Sequence, residues 1–410
     1  LESALKLLFS RMKYNFDKIV DRRRTNAMAT DGYREYLFGD VKNLDLGHWN
    51  ESDLISMWIA DMEFQTSDAI IKALKDRVEH GIFGYTQIFE QSYKDAFLKW
   101  SQTNYEWSFE KNHLVTSNGI IPALFDLAGF MCKADEKILI VTPSYAFFKH
   151  TADHNNLELV CSDLLFENGT YKVNLLDLES KAKDPKVTLC IFCNPHNPTG
   201  RVWTNTELVD IGNVLLRNNV RIISDEVHCD LLRRGKSFTP MSKLFPDSKD
   251  IITCMAASKT FNLAGFMLAN IIIPDDKLRA KWYDGRIPID NPFSIVATEA
   301  AYTHGHDWLD QLTTYLDANF IFLKSYLEHH LPESVFSIPD ATYLAWVDMN
   351  AYFSKDINLT LFFAKHAGVL LEGGNMFVSN ADGFIRLNLA CPKSRLEEGL
   401  IRITKAILEK

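Results

Sequence analysis

Short, continuous apolar runs recur through the middle of the chain, near 137–141, 188–192, 220–223, 251–254 and 269–273. Runs of this length and composition predict strands covered on both faces. Between them the spacing changes to that of amphipathic helices, as in 205–211. Strand and helix alternating in this way imply an α/β fold, a large domain whose mostly parallel sheet lies between helices. After Asp290-Asn291-Pro292-Phe293 a long helical pattern runs toward His329, and then 342–347 and 383–389 read as strands. That tail predicts a smaller α/β domain at the C-terminal end.

Composition narrows the class. A chain of 410 residues is too long for one small core, so two domains sharing a cleft are expected. Its 47% hydrophobic and 24% charged content is that of a soluble globular protein. A net charge of -9 gives no electrostatic case for nucleic acid or an anionic membrane as partner. The basic run Asp21-Arg22-Arg23-Arg24 reads as a salt-bridged face. No stretch reaches the roughly 18 uninterrupted apolar residues of a spanning helix. The apolar stretch Ala4 to Phe9 is short for a signal sequence, so residues 1–11 are expected to be an extension ahead of a start at Met12, on a cytoplasmic protein. Seven cysteines make no disulfide framework. Cys190 and Cys193 have the spacing of a redox or zinc pair, but in a strand residues three apart face opposite ways, which favours buried structural thiols and no metal.

Chemistry enters at the strand ends. Ser258-Lys259-Thr260-Phe261-Asn262 closes the apolar run 250–257, and Ser224-Asp225-Glu226-Val227-His228 closes another. A lysine and an acid so placed are what a pyridoxal phosphate (PLP) enzyme requires: the amine condenses with the cofactor aldehyde, and the carboxylate keeps the pyridine nitrogen protonated. Taken singly, each would read as surface lysine or capping aspartate. Asn194-Pro195-His196-Asn197-Pro198-Thr199-Gly200 adds an irregular turn after a third strand, at the sheet end where open α/β folds bind ligands. In Ser117-Asn118-Gly119-Ile120-Ile121-Pro122, glycine permits close approach and the following helix start attracts an anion, so the amides of Ile120 and Ile121 are candidate phosphate donors, with Ser258 beside them.

Together with Phe16-Asp17-Lys18-Ile19-Val20-Asp21-Arg22-Arg23, Met57-Trp58-Ile59-Ala60-Asp61-Met62, Gly84-Tyr85-Thr86 and Arg386-Leu387-Asn388-Leu389-Ala390-Cys391-Pro392, these strings carry a resemblance over nearly the whole chain. The sequence resembles the fold-type I, aminotransferase class I/II family of PLP enzymes, and within it the cystathionine β-lyase branch. The resemblance implies a seven-stranded-type sheet, a large domain at 61–299, and a small domain built from 12–60 and 300–410. It also implies a homodimer with shared active sites.

The resemblance further implies roles. Lys259 would carry the cofactor and later take the substrate Cα proton, and Asp225 would pair with the pyridine nitrogen. Asn197 and His228 would face the 3-oxygen, where many aminotransferases carry tyrosine in place of His228; a satisfied core histidine is the alternative. Tyr145 would stack on the ring, or else serve ordinary packing. Tyr85 would reach the partner's phosphate, Arg386 would grip the substrate α-carboxylate at two points, and Asp61 and Ala60 would border the substrate. Ala256 and Met267 stand where the family usually has a serine and an arginine, so the phosphate cup lacks a hydroxyl and a fixed charge. The implied reaction is β-elimination from L-cystathionine or another L-cysteine S-conjugate, giving thiol, pyruvate and ammonia. Transamination uses the same lysine, aspartate and arginine, and a non-catalytic scaffold is the third reading.

Overall fold

A computed structural model describes residues 12–39, 44–167, 169–284, 286–287 and 289–410; the expected extension at 1–11 lies outside them. The apolar runs form a seven-stranded sheet from β1 (Leu114–Ser117), β2 (Lys137–Thr142), β3 (Glu158–Asp163), β4 (Val187–Cys193), β5 (Arg221–Asp225), β6 (Ile251–Met255) and β7 (Ala269–Ile272). Their order across the sheet is β1-β7-β6-β5-β4-β2-β3, with β7 antiparallel to both neighbours and the other pairings parallel.

Continuous apolar strands arise because both sheet faces are covered. Leu139, Val141, Cys190, Phe192 and Ile222 enter one core, while Ile138, Ile140, Leu189, Ile191, Cys193 and Ile223 enter the other. The period of two therefore sends Cys190 and Cys193 to opposite faces, as their spacing predicts. Helix α1 (Ile120–Met131) packs on one face through Ala123, Leu124 and Leu127. Helix α2 (Asn205–Arg217) packs on the other through Leu208, Ile211 and Leu215. A capping box starts α2: Thr204 Oγ1 accepts the Glu207 N–H at 3.2 Å, and Glu207 Oε2 accepts the Thr204 N–H at 2.8 Å.

The pattern from 290 to His329 resolves into two helices, α3 (Pro292–His304) and α4 (His306–His330), where one long helix was expected. The interruption falls at Gly305, where a β-carbon would collide with the Phe261 ring and the Ala301 carbonyl. Beyond α4, β8 (Leu344–Asp348), β9 (Glu372–Gly373) and β10 (Phe384–Asn388) form a small antiparallel sheet in the order β8-β10-β9. It shares a core with α4 and α5 (Lys393–Leu408), including Phe320, Leu323, Ile385, Leu387, Leu396 and Ile403. Ile55 and Ser56 pair in parallel with Val369 and Leu370, which ties the N-terminal segment to this smaller α/β unit.

The arginine run is salt-bridged as read: Arg23 Nε bonds Asp21 at 2.9 Å and Arg22 Nη1 bonds Asp61 at 2.9 Å. Among the described residues, no helix is long and apolar enough to cross a membrane.

Candidate active site

The segments that leave β2, β4, β5 and β6 at their carboxyl ends converge on a cavity of ≈ 310 Å³, closed on one side by the small sheet. Tyr145, Asn197, Asp225, His228, Ser258, Lys259, Ile120, Ile121 and Arg386 all line it. Nine of the expected site residues thus meet in one place, although they come from strand ends far apart in sequence.

Lys259 lies on the helical turn Ala257–Thr260 that follows β6. Its Nζ donates to the Ala60 carbonyl at 2.7 Å, and Tyr343 Oη donates to the same oxygen at 2.8 Å. Asn262 fastens this turn to the segment carrying Ala60: its Nδ2 donates to the Met62 and Phe64 carbonyls at 3.0 Å, and its Oδ1 accepts the Met62 N–H at 3.0 Å. A left-handed backbone at Asn262, φ 57°, turns the chain so that these bonds form. Below the turn, Thr260 Oγ1 donates to the half-buried Asp230 carboxylate at 2.8 Å. Burial holds the Lys259 amine below the usual lysine range and Arg386 adds to that, while Asp61, Asp225 and Glu372 oppose it. The result is an amine held in place and better able to work as a base.

Asp225 ends β5 and is buried. Burial lifts its carboxyl to about 6, against the opposing pull of the Val227 N–H at 3.2 Å and of Lys259. His228 is pushed down to about 3 by burial, with Lys259 and Arg386 contributing, so its ring is neutral. Its Nδ1 is buried without a hydrogen-bond partner, and its ring meets Tyr343 edge-on at 6.4 Å.

At the other end of the cavity Gly119, with φ 105°, admits the chain into α1. The first helical bond there is Ala123 N–H to Gly119, which leaves the Ile120 and Ile121 amides free to meet a ligand. Met267 lies against Gly119 and lines the cavity, so an uncharged thioether stands where an arginine is usual. Ala256 is buried just ahead of the lysine turn.

Arg386, on β10, is buried to 2% exposure and donates from Nη2 to the Trp58 carbonyl at 2.9 Å and from Nη1 to Asn197 Oδ1 at 3.1 Å. It also forms an ion pair with Glu372, which sequence reasoning missed. Its one local signal is a lone charge at the end of the apolar run Val369-Leu370-Leu371. Tyr36, which lines the cavity, and Tyr343, which shares the Ala60 carbonyl with Lys259, were missed as well.

Two expected residues stand apart. Asp61 lies in an adjoining groove that Ala60 and Lys259 also line, and there Arg22 holds its carboxylate with both Nη groups. Arg22 is a long side chain at groove depth, and a forked ion pair satisfies its charge there. Tyr85 is 95% exposed and lies outside the cavity of its own chain.

The chain matches aminotransferase class I and II over residues 52–403. It belongs to that family. Within class I and II, it is 38% identical over 399 residues to the cystathionine beta-lyase PatB of Bacillus subtilis, covering 96% of this chain and all of that one. The PLP-bound C-S lyase of Staphylococcus hominis, solved with L-cycloserine, superposes with a TM-score of 0.93 at 45% identity, over 97% of this chain and 99% of that one. Cystalysin of Treponema denticola, which contains a pyridoxal 5'-phosphate cofactor, superposes at 0.88 with 28% identity, over 97% and 100%.

This class I and II site fits the cofactor on its own observations. Asp225 is a buried carboxyl for which a pyridinium would supply a counter-charge, and His228 Nδ1 is an unpartnered polar atom at the cavity wall. The amino end of α1 offers free amides to a phosphate. Lys259 stands between these with its amine on a single backbone carbonyl.

Proposed function

We propose that this protein is a PLP-dependent carbon-sulfur β-lyase that converts L-cystathionine or a related L-cysteine S-conjugate to thiol, pyruvate and ammonia. When bound, the cofactor supplies an electron sink for the charge left at the substrate Cα. Lys259 Nζ removes the Cα proton, and its lowered basicity suits it to that work near neutral pH. Arg386 holds the α-carboxylate, and Asp225 holds the charge of the pyridine nitrogen. Asn197 and His228 serve the 3-oxygen, Tyr145 lies on the ring, and Ile120, Ile121 and Ser258 serve the phosphate. A β-thiolate leaves without help from a second substrate, because thiols ionise within the ordinary range.

The observation that carries this reading is the meeting of Lys259, Asp225 and Arg386 in one cavity of a chain 45% identical to a C-S lyase. Purified protein given L-cystathionine and no oxo acid should release pyruvate and free thiol together. Turnover only when a 2-oxo acid is added would transfer the reading to transamination.

The active unit is a homodimer in this reading. Bonds from Asp290 N to Thr86 O at 2.8 Å and from Ile88 N to Asp290 Oδ2 at 3.3 Å hold 82–89 beside Asp290, in a region where Ile82, Phe83, Tyr85, Phe89 and Ile287 are exposed. An apolar surface of that kind favours a second copy. Tyr85 then serves the partner's phosphate. The large domain is assigned to 61–299 and the small one to 12–60 with 300–410, on the support of the Ile55–Val369 pairing. The unpaired thiols fit a reducing, cytoplasmic setting.

A further inference from the structure

Glu372 stands directly opposite Arg386 in the antiparallel β9–β10 pair, so both side chains leave the same face of the ladder. They form an ion pair with the arginine side chain 2% and the glutamate side chain 6% exposed. The remaining bonds of this guanidinium are decisive. Nη2 donates to Glu372 and to the Trp58 carbonyl, Nη1 donates to Asn197, and Nε is buried without a partner. A guanidinium can grip a carboxylate at two points along only two edges, Nε with Nη2 or Nη1 with Nη2. Both edges draw on Nη2, and both Nη2 hydrogens are taken. The Trp58 carbonyl is fixed backbone, whereas Glu372 is a side chain. A substrate carboxylate seated at two points therefore takes the place of Glu372.

We propose that Glu372 is a built-in competitor for the substrate α-carboxylate, occupying Arg386 in the free enzyme and taking up a proton when the substrate displaces it. This rests on the β-lyase reading only for the role of Arg386. A displaced, ionised Glu372 would lose its cation in a cavity that burial already makes costly for charge. The other groups facing it are the Tyr36 hydroxyl from the 33–38 helix, Tyr145 after β2 and Lys259 after β6, with Asp225 beyond Tyr145. Lys259 Nζ is taken by the Ala60 carbonyl here and would be taken by the cofactor in the holoenzyme, and the two phenols carry no positive charge. Burial already holds the Glu372 carboxyl above the usual range although Arg386 and Lys259 pull it down.

Binding then consumes a proton. Carboxylate affinity is flat below the Glu372 pKa of the free enzyme and falls about tenfold per pH unit above it, until the bound-state pKa is passed. The probe is 3-(methylthio)propanoate, which is S-methyl-L-cysteine without its amine and so can neither join the cofactor nor eliminate. Holoenzyme and Glu372→Gln are titrated with it by calorimetry in phosphate and in Tris, whose different ionisation heats report proton uptake.

Wild type should take up about one proton per site, and the variant close to none, with the variant binding ~10-fold or more tightly at pH 8. Proton uptake in wild type is read without any variant, and an unchanged melting temperature shows that Glu372→Gln folds. No proton uptake in wild type, equal uptake in the variant, or no binding of the probe would overturn the proposal. Pyruvate from L-cystathionine without proton uptake spares the lyase reading, and proton uptake without pyruvate spares this one.

Discussion

Lys259 and Tyr343 donate to one and the same acceptor, the Ala60 carbonyl, at 2.7 and 2.8 Å. The amine and the phenol thereby compete for one oxygen, and the strength of either bond sets that of the other. In Tyr343→Phe the carbonyl keeps only the lysine, at a net cost of about 1 kcal/mol for the lost bond. The oxygen becomes a better acceptor for the ammonium, which raises the lysine's basicity. Pyruvate formation should fall roughly 5- to 10-fold, and the acid limb of the pH–kcat profile should move to higher pH. A profile that keeps its shape would show the hydroxyl to be mere packing.

Asp225 makes cofactor-free protein sensitive to pH. Its carboxyl is raised from 3.8 to about 6 in the folded chain, so the folded state binds the proton more tightly than the unfolded one. The stability it contributes is present below the unfolded value and is lost as pH rises through about 6, a change of roughly 3 kcal/mol. Cofactor-free Asp225→Asn should melt higher than cofactor-free wild type above pH 6 and with less pH dependence. With cofactor the order reverses in function, the amide variant producing pyruvate far more slowly.

Tyr85 touches nothing that would make it matter to its own chain's fold. Tyr85→Phe should leave the melting temperature of cofactor-free protein unchanged. It should weaken cofactor binding roughly 10-fold or more, the worth of a hydrogen bond to a charged group. Unchanged cofactor affinity would remove this tyrosine from the phosphate site.

Gly305 is a spacing element for the lysine turn. Gly305→Ala pushes on the Phe261 ring, two residues from Lys259, and overpacking of this kind costs about 1–3 kcal/mol. The urea midpoint should drop, and kcat should fall beyond what the lost folded fraction explains.

The chemistry was legible where it is written at strand ends. Asp225, Asn197 and Lys259 follow apolar runs whose period and length specify strands, and a parallel sheet brings such ends to one edge. Glu372 was not legible, because its partner is set by cross-strand register between β9 and β10, and register is a property of the fold. Asp61 was expected to border the substrate with Ala60; that its carboxylate also pairs with Arg22, 39 positions away, beside Lys259 was not legible from local spacing. The need for glycine at 305 escaped the periodic reading for a similar reason: what excludes a side chain there is the ring of Phe261, 44 positions away.

Met267 leaves the phosphate end of the cavity with a soft, neutral wall. On the proposed dimer, the cofactor's anionic tail would find its counterweight in the amides that open α1 and in the second copy over the 82–89 face. Retention of the vitamin would then be a collective property, weakening on dilution as subunits separate and recovering when they are concentrated again.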